Sequence, residues 1–468
     1  MTLITPVSIG RNIEIHAANL SALKGWEDIV DPLLKALHEP QSPTDALTVL
    51  HRLQRLAVVA EMGLGGYDSL HEQFRNNTLP LWSDFATLPA TPLQKQRLGD
   101  LLYDGDPLKH SPLIVNLCDY GRGIGEQIVS RIVADGLDAE ITFDDPWFHR
   151  AMLDTLDNRG VERYALWRAA RAGEVDRRIG MRVTNVSIPF QPTLSYKEKN
   201  KLYNATIAGV RRTRPRDPFF TITVLPVPDD AEIDQIPYPT YVDLFLRMCD
   251  VDWKEVDKAH RILIGKLNKG SMLHFTNNDG TDLTMEITGM SFANSLVAKN
   301  VPGSEVFSAP LKNSVNGKIV AKGRFMPKGQ TELIEDIVLV FKDGRVIDFS
   351  ARVGHDVLAE EVNADDGSCY VGEIGIGTNP VLQQHIVNSL LVEKIGGSFH
   401  VALGQAYTYT EYLGEPVKVD NGNRSQIHWD ITTMLVGKEG RITLDGETIM
   451  ENGKFTDPAL AILNGTAS

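Results

Sequence analysis

Residues 425–431, Ser-Gln-Ile-His-Trp-Asp-Ile, set an imidazole and a carboxylate two positions apart in an otherwise apolar, β-prone stretch. Successive side chains of a strand point to opposite faces, so Gln426, His428 and Asp430 share one side while Ile427, Trp429 and Ile431 share the other. The apolar side supplies a core. The polar side carries two groups roughly 6–7 Å apart along the backbone, and neutral imidazole and carboxylate are ordinary ligands of a divalent metal. A solvated His–Asp pair is the plain alternative for one such segment, so its neighbours decide.

Four further segments place a ligand-type residue in an apolar, β-prone context. In GSFHVALGQAY, His400 shares its face with the small residues Ser398, Ala402 and Gly404, which leave room for an ion. In YVGEIGIGTNP, Glu373 stands between Gly372 and Gly375, and in NVPGSEVFSAP, Glu305 precedes Val306 and Phe307. In LVEKIGG, Glu393 is followed by Lys394, which points to an exposed helix end. A buried charge without a partner costs several kcal/mol, and two histidines with three carboxylates compensate one another most simply around metal. Five such ligands exceed the three or four that one catalytic ion takes from protein, which favours two ions sharing a carboxylate bridge.

These residues need a scaffold. At 468 residues and 51.8 kDa the chain exceeds one ordinary core. The periodicity predicts a two-lobed α+β or α/β protein. A helical N-terminal extension over 1–108, marked by ALTVLHRLQRLAVVAEM, precedes an α/β domain over 109–265. A β-rich catalytic metal-binding domain over 266–468 follows, its short alternating runs broken by Asp-Gly and Asn-Gly turns. In the middle domain, SPLIVNLC and the residues after it read as strand, helix, strand, a βαβ unit. Its turn holds Gly121, Gly123 and Gly125, but Glu126 stands where a dinucleotide motif needs its third glycine, and its charge opposes a phosphate. The amphipathic helical stretch 241–266 reads as a connector between the halves.

Bulk properties exclude several classes. A net charge of −14 argues against a nucleic-acid partner; the one basic run, Arg211, Arg212, Arg214 and Arg216, is broken by prolines and reads as a solvated loop. No apolar run reaches the ~18 residues of a membrane span. The N-terminus is not of secretory type, and three scattered cysteines suit a reducing compartment, so the expected location is cytoplasmic.

The order P-x-x-E-V-F-x-A-P, G-E-I-G-I-G-T-N-P, E-K-I-G-G-x-x-H-V-A-L-G-x-x-Y and H-x-D, over roughly residues 190–455, resembles the dinuclear metallo-aminopeptidases of the aminopeptidase T and S type. The resemblance implies an N-terminal α/β domain, a β-rich catalytic domain and a homodimer acting on short peptides. It implies Glu305, Glu373, His400, His428 and Asp430 as ligands of two Zn, Co or Mn ions, with Glu393 as a possible further ligand or support. It implies catalytic roles for Glu373 as bridge or general base and for Tyr407 as donor to the reaction intermediate. The first hundred or so residues lie outside it.

A hydrolase of this kind activates water on metal, moves its proton through a carboxylate and steadies the oxyanion with a phenol. The chain also resembles ring-cleaving dioxygenases of dihydroxypyridines, in which His400, His428 and Asp430 would form the facial triad of one Fe(II). Glu305 and Glu373 are surplus to that triad and favour hydrolysis. A binding protein with a structural ion is a third reading, opposed by the tyrosine and spare carboxylates, because structural sites are closed by their ligands.

Overall fold

The computed structural model describes residues 20, 23–38, 42–81, 84, 86–171, 175–183, 190–212, 218–327 and 332–465. Of these, residues up to Leu225 form one compact unit and those from Pro226 onward another. The mixed α/β architecture agrees with the sequence reading.

The first unit carries four parallel strands, β1 (Leu113–Cys118), β2 (Ala139–Asp144), β3 (Arg177–Val183) and β4 (Phe219–Leu225), in the order β2-β1-β3-β4. β1, the helix Arg122–Ala134 and β2 are the βαβ unit predicted from the strand–helix–strand pattern. The N-terminal helices Glu27–His38, Pro43–Glu61 and Asp68–Arg75 share a core with the helices Pro146–Thr155 and Asn158–Arg171, through Trp26, Leu33, Leu56, Phe74, Phe148, Met152 and Val161. They thus belong to the same unit as the parallel sheet, where the sequence suggested a separate extension over 1–108. Periodicity marks a helix's apolar stripe and says nothing of which core receives it. Of the basic run, Arg211 and Arg212 end the helix Leu194–Arg212, and the expected loop from residue 213 to 217 lies outside the described residues.

The second unit is antiparallel. β5 (Met272–Thr276) and β6 (Asp282–Glu286) form a hairpin, and the short strands β7 (Ala293–Ser295) and β8 (Glu305–Ser308) follow. A meander of β9 (Asn316–Phe325), β10 (Ile334–Lys342) and β11 (Arg345–Val353) precedes β12 (Val371–Gly377) and β13 (Ser398–Gly404). β14 (Glu411–Tyr412) and β15 (Glu415–Pro416) make a small ribbon, and β16 (His428–Met434), β17 (Arg441–Leu444), β18 (Glu447–Glu451) and β19 (Lys454–Phe455) complete the unit. An eight-stranded sheet, β11-β10-β9-β6-β5-β17-β18-β19, and a five-stranded sheet, β16-β13-β12-β8-β7, enclose the main core.

The stretch 241–266, expected as a connector, instead belongs to this core. It forms the helices Tyr238–Cys249 and Trp253–Leu267, and Val256, Ala259, Leu263 and Leu267 pack with the strand residues. The unit boundary accordingly lies at Leu225/Pro226 and not after residue 265. His260 explains the attachment: its ring contacts Asn294 Oδ1 at 2.6 Å, Thr378 Oγ1 at 2.7 Å and Ser304 Oγ at 3.0 Å. Ser304 precedes β8 and Thr378 follows β12, so the helix clamps one end of the five-stranded sheet.

Among the described residues no helix is long and apolar enough to cross a membrane. Cys118, Cys249 and Cys369 are free and buried.

Candidate metal centre

The five-stranded sheet has two unlike faces, and register assigns every residue to one of them. Asp430 pairs with Ala402, which pairs with Glu373; His400 pairs with Gly375; Glu305 pairs with Gly377; His428 pairs with Gly404. Directly paired residues share a face, so Glu305, Glu373, His400, His428 and Asp430 stand together. The opposite face presents Val306, Ile374, Ile376, Phe399, Val401, Leu403, Trp429 and Ile431 to the main core. Burial of each large apolar side chain there stabilises by about 1.5–3 kcal/mol, which holds the polar face in place.

Two glycines make the arrangement possible. A strict alternation would put Glu373 on the same side as the core residue Val371, but the register shifts between Val371 and Glu373. This bulge at Gly372 turns the carboxylate to the ligand face. Across the pair, the His400 ring lies over Gly375, where a Cβ would sit 2.2 Å from its Cε1. Glycine is the residue that admits the imidazole.

The candidate ligand atoms converge. His400 Nε2 lies 3.5 Å from Glu305 Oε2, 3.6 Å from Glu373 Oε1 and 4.0 Å from Asp430 Oδ1. His428 Nε2 lies 3.1 Å from Glu373 Oε2 and 3.8 Å from Asp430 Oδ1. Two groups suited to an ion result, Glu305–Glu373–His400 and Glu373–His428–Asp430, with Glu373 common to both. Glu305 Oε2, Glu373 Oε2 and both ring nitrogens of His400 are buried without a hydrogen-bond partner. Buried polar atoms are normally satisfied, and a bound cation would satisfy these. The donor set of imidazole and carboxylate fits Zn, Co or Mn. All five residues expected from the sequence as ligands are thus brought together on one face.

The electrostatics agree. Burial opposes charge on His400, but Glu373, Glu305 and Asp430 outweigh it and raise its pKa to about 9. Burial likewise opposes charge on His428, which Asp430 and Glu373 raise to about 10. Burial pushes Glu373 upward, and the two imidazoles overcome this and bring it to about 2. Protons therefore occupy positions that a dication would take. His428 Nδ1 donates to Gln405 O at 2.7 Å, which orients the ring with Nε2 toward the carboxylates.

Tyr407, in the loop after β13, packs its ring against His428 with centroids 5.0 Å apart and against Phe307 at 5.2 Å. Burial and then Glu373 raise its pKa well above the ordinary phenol value, so it stays a hydrogen-bond donor.

Lys394 corrects an expectation. The sequence suggested an exposed helix end at Glu393, yet the Lys394 side chain is fully buried and its ammonium pairs with Glu305 Oε1 and, at 2.7 Å, with Glu393 Oε2. With its amide oxygen turned inward, Asn300 accepts the third bond at 3.1 Å. Burial disfavours this charge, and the carboxylates more than restore it. Burial also raises the pKa of Glu393, against the pull of Lys394. A Glu393–Lys394 pair set between the apolar Val392 and Ile395 was the one signal available.

Residues 214–455, more than half of the chain, match the thermophilic metalloprotease family (M29). Aminopeptidase AmpS of Bacillus subtilis (strain 168) is 31% identical over 204 residues, covering 39% of this chain and 48% of the relative. Aminopeptidase T of Thermus thermophilus is 28% identical over 220 residues, covering 44% and 52%. The chain spans about half the length of the curated relatives it matches. The solved structure of wild-type AmpT from Thermus thermophilus superposes with a TM-score of 0.59 at 20% identity, over 78% of this chain and 100% of that one, and so shares its fold.

Proposed function

The chain belongs to the thermophilic metalloprotease (M29) family, and from that membership we propose that it is an aminopeptidase that releases N-terminal residues from short peptides. Membership of a metalloprotease family implies a divalent metal cofactor. The observation that carries the reading is the pair of ligand groups joined by Glu373 on one sheet face. Zn, Co or Mn suits the donors, Glu305, Glu373, His400, His428 and Asp430 being the residues that would hold it, and a bound dication brings the pKa of water toward neutrality. How many ions the two groups take depends on Lys394.

The chain's own residues do the rest. Glu373, the carboxylate that faces both imidazoles, receives the proton of the attacking water and passes it to the leaving amine. Tyr407 donates a hydrogen bond to the oxyanion that develops on the peptide carbonyl. Asp430, a carboxylate in the Glu373–His428–Asp430 group, lines the wall and suits a substrate's free α-ammonium, which restricts cleavage to the N-terminus. A homodimer is part of the same proposal, and light scattering of the purified protein measures it.

The test is hydrolysis of aminoacyl p-nitroanilides by protein loaded with Zn, Co or Mn, with the N-acetylated anilides as controls. Release of nitroaniline from the free amines alone is the expected result. Oxygen-dependent ring opening of a dihydroxylated heteroaromatic by protein loaded with one Fe(II), without anilide cleavage, would overturn it.

A further inference from the structure

The two ligand groups that share Glu373 are not equally ready for a cation. In the group Glu373–His428–Asp430, His428 Nδ1 is fixed by its bond to Gln405 O, and among the described residues no lysine or arginine pairs with Glu373 or Asp430. In the group Glu305–Glu373–His400, one oxygen of Glu305 is taken by the Lys394 ammonium, and His400 Nδ1 has no acceptor to orient its ring. A ligating histidine ordinarily donates its second ring N–H to such an acceptor.

Lys394 has nowhere else to go. It is fully buried on a short 3-10 turn (Val392–Lys394), and Glu305, Glu393 and Asn300 use all three of its donors. A dication beside Glu305 would have to share that carboxylate with a fixed positive charge, and in a buried site like charges repel with little screening.

Resting on the metallopeptidase reading above, we infer that Lys394 serves as the counter-cation of Glu305, so that the chain holds one tight divalent ion, on Glu373, His428 and Asp430, in place of two. The carboxylates are then neutralised by one exchangeable cation and one covalently built in. Glu305 acts as a positioning residue for Lys394, and His400 stands close enough to Glu373 and Asp430 to join the single ion.

The test is metal content. The full chain is stripped by chelation, reloaded with excess Zn or Co, desalted and measured by inductively coupled plasma mass spectrometry, with calorimetric titration alongside. The wild type retains one ion per chain, and Lys394→Gln, confirmed as folded by circular dichroism, retains two. Glu305→Gln still retains one, because that glutamate serves the lysine; this variant decides the matter if Lys394→Gln does not fold. Two ions in the wild type, one in folded Lys394→Gln, or none in Glu305→Gln would overturn the inference. Two ions in the wild type would leave the aminopeptidase proposal standing, whereas no ion in any of these proteins would remove both.

Discussion

Each unit of the chain buries acidic groups at the end or face of a sheet, and the two treat them differently. In the first unit Asp145, just after β2, accepts from His51 Nε2 at 2.7 Å, from Arg55 Nε at 2.6 Å and from the Phe148 backbone N–H at 2.9 Å. Burial pushes its pKa up, and His51 and Arg55 outweigh this and hold it below the usual carboxylate range. In the second unit Glu305 and Glu373 each leave a buried oxygen without a hydrogen-bond partner, beside a histidine with two unbonded nitrogens. An acid matched by protein cations is a structural part. Acids left partly unmatched among imidazoles mark a place for a cation from solution.

The contrast breaks most sharply at Glu373. On the proposed mechanism, replacing Glu373 with Gln removes a candidate ligand from both groups and the proton acceptor, and kcat/KM on an aminoacyl anilide should fall at least about a thousandfold, with loss of bound metal. Tyr407→Phe should lower kcat by about a hundredfold, as loss of one oxyanion donor does, with metal content unchanged. Gly375→Ala forces a methyl group into the His400 ring; metal affinity should fall roughly 10- to 100-fold, as when the support of a ligand is lost, while circular dichroism stays as in the wild type.

A pH series sharpens the same contrast. With no ion bound, His400 and His428 titrate at about 9 and about 10, so at neutral pH an ion must displace their protons. Affinity therefore rises with pH toward about 9, and calorimetry in buffers of different ionisation enthalpy should record proton release on binding. The stability of the metal-free protein moves the other way. Histidine pKa values raised above the unfolded ~6.5 add stability that is complete below that pH and lost as pH climbs through about 9 to 10. Glu373, lowered to about 2, adds stability present above its ordinary value and lost as pH falls toward 2. A chelated sample should thus show a Tm that falls between about pH 6.5 and pH 10, a fall that added metal abolishes. The smallest effect on catalysis belongs to His51→Gln in the first unit, which should cost about 1–3 kcal/mol of stability through the weakened Asp145 network and leave metal content and kcat as they were.

Much of the candidate metal centre was legible in the chain because strands repeat every two residues. His428 and Asp430, opposite Trp429 and Ile431, and His400 among Ser398, Ala402 and Gly404 lie on the faces that alternation assigns. Glu373 was legible as a residue type but not as a direction, since the bulge at Gly372 reverses the face that counting from Val371 would give it. Lys394 escaped because its partner Glu305 lies 89 residues away, and a lysine beside a glutamate ordinarily marks a solvated surface. The unit boundary escaped for a related reason: the helix Trp253–Leu267 shows its stripe in the sequence, while His260 and its partners Asn294, Ser304 and Thr378 are joined only by the fold.

The candidate ligands come from β8, β12, β13 and β16, strands spread along the chain and brought side by side only by antiparallel pairing. No short fragment carries all three members of either group, and the unfolded chain offers a passing ion nothing better than the pair His428 and Asp430. On the proposed reading, metal arrives last, as cargo taken aboard by a finished vessel. Since the hull is sealed from the opposite face by its hydrocarbon core, removing the cargo should idle the protein without sinking it.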